Sequence, residues 1–230
     1  MSKSFLFNCF YIFLFAVTIG CKQDAKVPII KTNLHPDQDG VIRDIPPDHK
    51  TEHKQLLKQK TEKTLGLSDL QNGSKGLEIR IYDGEGMTYQ GRLFLLRNEG
   101  SVWKGELYYY RDSISHAGEE GVMGGYEGAT AIEKHELKQT SGEWNDFVNQ
   151  LFELDIDKLR DYSLIPKYSL GSDEGGVLVE IAQDKFYKIY QMPTPSAREE
   201  RIKDAKQIVQ ILELIDQKFG NKLKDSTYSG

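Results

Sequence analysis

A change of hydrophobic period at Leu77 restricts this 230-residue chain more than any other feature it carries. From there Leu77-Glu78-Ile79-Arg80-Ile81 alternates apolar and charged residues, the two-residue period of a strand with one face buried. Asp83-Gly84-Glu85-Gly86 supplies turn residues. Arg92–Arg97 and Val102–Tyr110 follow as runs rich in aromatic and aliphatic side chains, joined by Asn98-Glu99-Gly100 as a hairpin turn. Three such strands predict an antiparallel meander. Ala129 to Gln139 predicts a further strand on which Glu133, His135 and Leu137 share a face. A second hairpin is predicted from Val177–Ile181 and Phe186–Tyr190 around Gln183-Asp184. Pro193 and Pro195 end it, because proline cannot donate to a ladder.

Two stretches switch to the helical period. Trp144, Phe147, Val148, Leu151 and Phe152 form one apolar stripe behind Ser141 as N-cap, with Glu143 in the first turn where a negative charge suits the helix dipole. From Ala197 to Phe219, Ile202, Ala205, Val209, Leu212, Ile215 and Phe219 line one side, and Gly220-Asn221 closes the helix. The order strands, helix, strands, helix predicts an α+β fold, an antiparallel sheet of about five to six strands covered by two helices. The domain is expected to span residues 77–220. Residues 48–76, rich in Lys, Glu and Gln, are expected to form a charged helical or peripheral segment, and 221–230 a disordered tail. Pro28, Pro36, Pro46 and Pro47 among polar residues make 21–47 a flexible linker, spanning roughly 25 to 30 Å as a coil.

Ahead of that linker the character is different. Met1-Ser2-Lys3 precedes Phe5–Gly20, a run without a charged side chain that is too short, at roughly 16 residues, for a stable span of the ~20-residue hydrocarbon core. A short basic end, an apolar stretch and a small residue before a cut are the parts of a secretory signal. With Gly20 followed by Cys21, the segment resembles the lipobox of bacterial lipoproteins. Thr18 and Ile19 stand where that family usually has Leu and then Ala or Ser. The resemblance covers only the first twenty-odd residues. It implies cleavage before Cys21, a diacylglyceryl group on its thiol and attachment to the cell envelope through acyl chains. In the same family an Asp just after the cysteine holds the protein in the inner membrane. Lys22-Gln23 here points to the outer membrane instead. Cys9 then leaves with the signal and Cys21 is acylated, so the domain must be stable without a disulfide.

Composition narrows the function classes. With 38% hydrophobic and 28% charged residues the chain is neither a polytopic membrane protein nor a low-complexity one. A net charge of -5 without a basic block argues against a nucleic-acid groove. His135-Glu136-Leu137-Lys138-Gln139 begins like the zinc motif His-Glu-x-x-His but has Gln at the second ligand position. Asp155, Asp157 and Asp161 lack the Gly and terminal Glu of a calcium loop. No Walker loop or Gly-x-Ser-x-Gly elbow occurs, and neither a metal nor a cofactor is expected.

The candidate ligand-binding residues are Trp103, Tyr108 and Tyr110, whose flat rings with polar tips suit sugar or peptide if one strand face is open. His116 and Glu119 on a glycine-rich loop, 112–128, are the others. The expected role is a non-catalytic binding or accessory module whose partner is an envelope protein, peptide or glycan. The alternatives are an envelope hydrolase using His116 with Glu119 or Glu120, and an inhibitor or immunity-type protein.

Overall fold

A computed structural model describes residues 27–85, 90–100, 102–114, 126–168 and 176–220. The described strands are β1 (Ile42–Asp44), β2 (Ser74–Glu85), β3 (Gln90–Glu99), β4 (Val102–Ile114), β5 (Tyr126–Leu137), β6 (Gly176–Asp184) and β7 (Phe186–Pro193). The described helices are α1 (Glu52–Leu65), α2 (Ser141–Glu153) and α3 (Lys203–Phe219). The strands form one sheet in the order β1-β7-β6-β2-β3-β4-β5. Every pairing is antiparallel except β1 with β7. The fold is α+β, with seven strands among the described residues, more than the five to six expected, and with α1 in the segment 48–76 that was expected to be helical or peripheral.

Alternation along each strand gives the sheet two faces, and both are covered. Leu77, Ile79 and Ile81 of β2 and Val177, Val179 and Ile181 of β6 pack beneath α2 and α3. Phe94, Trp144, Phe147 and Phe219 form an aromatic cluster in that layer, with ring centroids 5.2–6.0 Å apart. Gly105 of β4 leaves room for it: a Cβ there would lie 2.2 Å from the Trp144 ring. The helix α2 starts one residue before expectation. Thr140 is the N-cap, and its hydroxyl and Glu143 exchange the reciprocal bonds of a capping box. The last helix starts later than expected, because Thr194 in the left-handed region and a short 3-10 turn, Pro195–Ala197, come first.

The opposite face carries Leu93, Leu95, Tyr82 and Tyr187 and lies under α1 and the segment after it, where Leu65 and Leu70 are buried. At the far edge β5 passes against α1. Gly128, at φ 125°, sits where a Cβ would lie 2.8 Å from the Thr64 side chain and 3.0 Å from the Lys60 carbonyl oxygen.

Residues 27–47, expected as linker, are held on the domain instead. The Gln183 side chain donates to the Pro28 carbonyl and accepts from the Ile30 N–H, both at 2.8 Å, so it pairs with the strap as a strand backbone would. Val27 and Ile30 pack against the α2/α3 core, and β1 joins the sheet. Arg43, paired within the stretch to Asp37 and Asp39, ties it to the domain through the Gln71 carbonyl. The physical reason is that amide and guanidinium bonds hold this segment, and these leave no apolar period to read. The signal segment with Cys21, the centre of the glycine-rich loop and the tail 221–230 lie outside the described residues. The ends of that loop are strand: Asp112 pairs with Ala129, and Ser113 with Gly128.

Candidate functional site

The most chemically loaded place among the described residues is a cluster of charges between α1 and the sheet. In β2, Glu78, Arg80 and Tyr82 point to the α1 face because Leu77, Ile79 and Ile81 occupy the other. In β6, Glu180 stands directly opposite Arg80 in the ladder. Lys58 and Glu62, one helical turn apart, descend from α1 onto the same spot.

Arg80 is the hub. Its guanidinium reaches Glu62 at 2.7 Å, Glu78 at 2.8 Å and the Ser68 carbonyl at 2.7 Å, with Glu180 at 3.8 Å. The Lys58 ammonium donates to Glu62 at 2.8 Å and lies 3.1 Å from Glu180, with Asp69 at 3.6 Å on the outer side. Glu180 also accepts from the hydroxyls of Tyr187 at 2.6 Å and Tyr82 at 3.3 Å. The side chains of Arg80, Glu62 and Glu180 are at most 4% exposed and that of Lys58 is 9%, so the cluster is closed to anything larger than water.

Three enclosed carboxylates face two cations, which leaves one negative charge in excess if all are ionised. The excess is relieved at Glu62. Burial and the neighbouring Glu180 charge push its carboxyl up from 4.5 to about 7, against the pull of Lys58 and Arg80. Burial opposes the charge on Lys58, but Glu180 and Glu62 outweigh it and raise the ammonium above its ordinary value. Burial and Glu180 likewise raise the Tyr82 and Tyr187 phenols well above theirs. A lysine held charged and phenols held neutral are not nucleophiles at neutral pH. The arrangement is suited to holding α1 on the sheet and to carrying one proton near neutrality.

That proton gives stability a pH dependence with a definite sign. Between pH 4.5 and 7 the folded state retains the Glu62 proton while the unfolded state loses it, so this group's contribution falls as pH rises through that window. At 1.36 kcal/mol per unit the whole effect is roughly 3 kcal/mol. Urea unfolding at pH 4.5 and pH 7 is expected to show the wild type losing about that much relative to Glu62→Gln. An equal difference at both pH values would contradict the assignment.

A second buried pair pins the segment before α1. His49 Nε2 lies 3.0 Å from Asp161 Oδ2, which also accepts the Gln191 N–H at 2.8 Å. Asp161 Oδ1 accepts from the Ser163 N–H at 2.9 Å and hydroxyl at 2.5 Å. Burial opposes the Asp161 charge, but the His49, Ser163 and backbone bonds win and hold its carboxyl below the ordinary value. The chemical order is wrong for nucleophilic catalysis, because the carboxylate stands between Ser163 and His49. Asp161 is therefore a structural acceptor. Among the described residues no three His, Cys, Asp or Glu side chains are placed to hold a metal, Asp155 and Asp157 included.

The expected aromatic platform is corrected by the structure. Trp103 is 6% exposed in the α2/α3 layer, with its indole N–H donating to Asn145 Oδ1 at 2.8 Å. Tyr108 and Tyr110, each 4% exposed, point to the other layer. There Tyr108 donates to Glu106 at 2.8 Å and the Lys134 ammonium sits 4.9 Å from its ring centroid, while Tyr110 covers Gly91. The three residues lie on opposite faces and none offers an open ring. The reason is the cover on the second face, supplied by α1 and its neighbours. His116, Glu119 and Glu120 lie outside the described residues.

Lys58, Glu62, Arg80 and Glu180 were not foreseen as a site. Alternation assigns Glu78 and Arg80 to water, and only the matching charge at Glu180 on a second strand, beside a helix rich in both signs, signals the cluster. Comparisons with models of known protein families, with curated proteins and with solved structures gave no match.

Proposed function

We propose that the chain is a bacterial envelope lipoprotein, cleaved before Cys21 and held by acyl chains on that thiol, whose α+β domain acts as a non-catalytic binding or accessory module. The observation that carries the reading is the uncharged run Phe5–Gly20 ending at Gly20-Cys21. Two or three acyl chains make a durable tether where a single myristoyl chain binds only reversibly. Lys22-Gln23 after the cysteine favours the outer membrane.

Two structural features support this. Val27 to Ile30 are held on the domain, and Val27 is only six positions after Cys21, so chain length alone keeps that thiol near this end of the domain. The buried ionisable groups are committed to one another, with Arg80, Lys58 and Asp161 each satisfied by internal partners. A binding role leaves the partner class as an envelope protein, peptide or glycan.

Fractionation of cells producing the full chain tests the anchor. The wild type is expected in the membrane fraction, resistant to a high-salt wash and released by detergent, and to incorporate a labelled fatty acid. Cys21→Ser is expected to lose the label entirely. Label retained in Cys21→Ser, or wild type released by salt alone, would overturn the reading.

A further inference from the structure

Seen from the tether, one surface patch stands out. Val27, Pro28 and Ile29 of the strap and Asn149, Phe152 and Glu153 of α2 line an open-sided groove of about 790 Å³. Ile29 is 78% exposed at its lip, Leu34 is 45% exposed further along the strap, and Lys31 completes the rim. Isolated exposed aliphatics are ordinary on a soluble domain. Here Ile29 lies only eight positions after Cys21, the residue proposed to carry the anchor.

We propose that the strap and the adjoining end of α2 rest on the lipid surface, with Ile29 entering the interface and the α1 face turned away from it. The proposal rests on the acylation of Cys21. Six peptide units from Cys21 to Val27 reach at most about 20 Å. Gln183 fixes where that reach begins, because its amide clamps Pro28 and Ile30 on the α2/α3 side of the sheet. The acylated thiol lies at the membrane, so this side cannot swing far from the bilayer. A tether that holds a weakly apolar patch so close raises its effective concentration at the interface, and a few side chains too weak to bind a membrane unaided then suffice to orient the domain. Lys31 offers a positive charge to headgroups at the same edge and Glu153 a negative one, so the lining is formally neutral and its apolar side chains carry the contact.

The test uses the mature acylated protein in vesicles of phosphatidylethanolamine and phosphatidylglycerol. Cys9 leaves with the signal and Cys21 carries lipid, so Ile29→Cys provides a single thiol for an environment-sensitive fluorophore. Gln59→Cys, exposed on α1, is the comparison. Flotation comes first, then quenching by nitroxide-bearing lipids and by a water-soluble quencher. Both proteins are expected to float, with lipid quenching several-fold stronger at position 29 than at 59. Failure to float would overturn the anchor and this proposal with it. Flotation with equal quenching at both positions would leave the anchor standing and overturn the orientation. A label at 29 shielded from both quenchers would mean that a protein partner or a second copy covers the patch, and would also overturn it.

Discussion

Arg80→Met is expected to lower the unfolding free energy by about 3–5 kcal/mol, the range for breaking a buried ion pair from one side. Methionine keeps most of the length of the side chain and removes its charge and donors. Glu62 and Glu78 then lose buried contacts of 2.7 and 2.8 Å, and the part-buried Ser68 carbonyl loses a donor at 2.7 Å. Lys58 alone remains as the cation of the cluster. Lys104→Met, which removes an ion pair whose two side chains are each more than half exposed, is expected to cost no more than about 1 kcal/mol. Urea denaturation of the two variants checks the contrast, and comparable losses would show that Arg80 is not the hub beneath α1.

On the other side of the sheet, Trp144→Ala is expected to cost about 3–5 kcal/mol, the range for emptying a large aromatic site in a core. The indole is 2% exposed, lies 6.0 Å from the Phe147 ring and 5.5 Å from that of Phe219, and fills the space over Gly105. The sheet backbone under Gly105 is fixed by pairing to β3 and β5, so the gap cannot close by a small shift. Thermal or urea unfolding checks it. A loss under about 1 kcal/mol would mean that α2 and α3 repack without the indole.

The two sides of this sheet differ in how much of them the sequence displays. The α2/α3 side is built from apolar stripes: Leu77, Ile79 and Ile81 in β2, Val177, Val179 and Ile181 in β6, and Trp144, Phe147, Val148 and Leu151 in α2. Those periods are directly visible, and the strands and helices they predict are present. The α1 side is built from charge. Lys58 and Glu62 on a polar helix meet Arg80 and Glu180 on strands whose alternation assigns them to water, and only their proximity in space makes them a core. The exposed reading of Tyr108 and Tyr110 failed for the same reason, since it required the second face to be bare. The strap and β1 were hidden by bonds from Gln183, His49 and Arg43, none of which has a sequence period. The short helix start at Thr140 was missed by one residue because Thr140 and Ser141 are both good caps, and only the capping box with Glu143 decides between them.

The proposed location depends on the chemical state of a single residue, Cys21. Intact-mass measurement of the mature polypeptide, extracted with detergent from cell envelopes, examines that state without intermediaries. A chain beginning at Cys21 and heavier than its sequence by a diacylglyceryl group, with or without an N-linked acyl chain, is the result this account expects. A mature chain starting at any other residue, or starting at Cys21 with a free thiol, would contradict it.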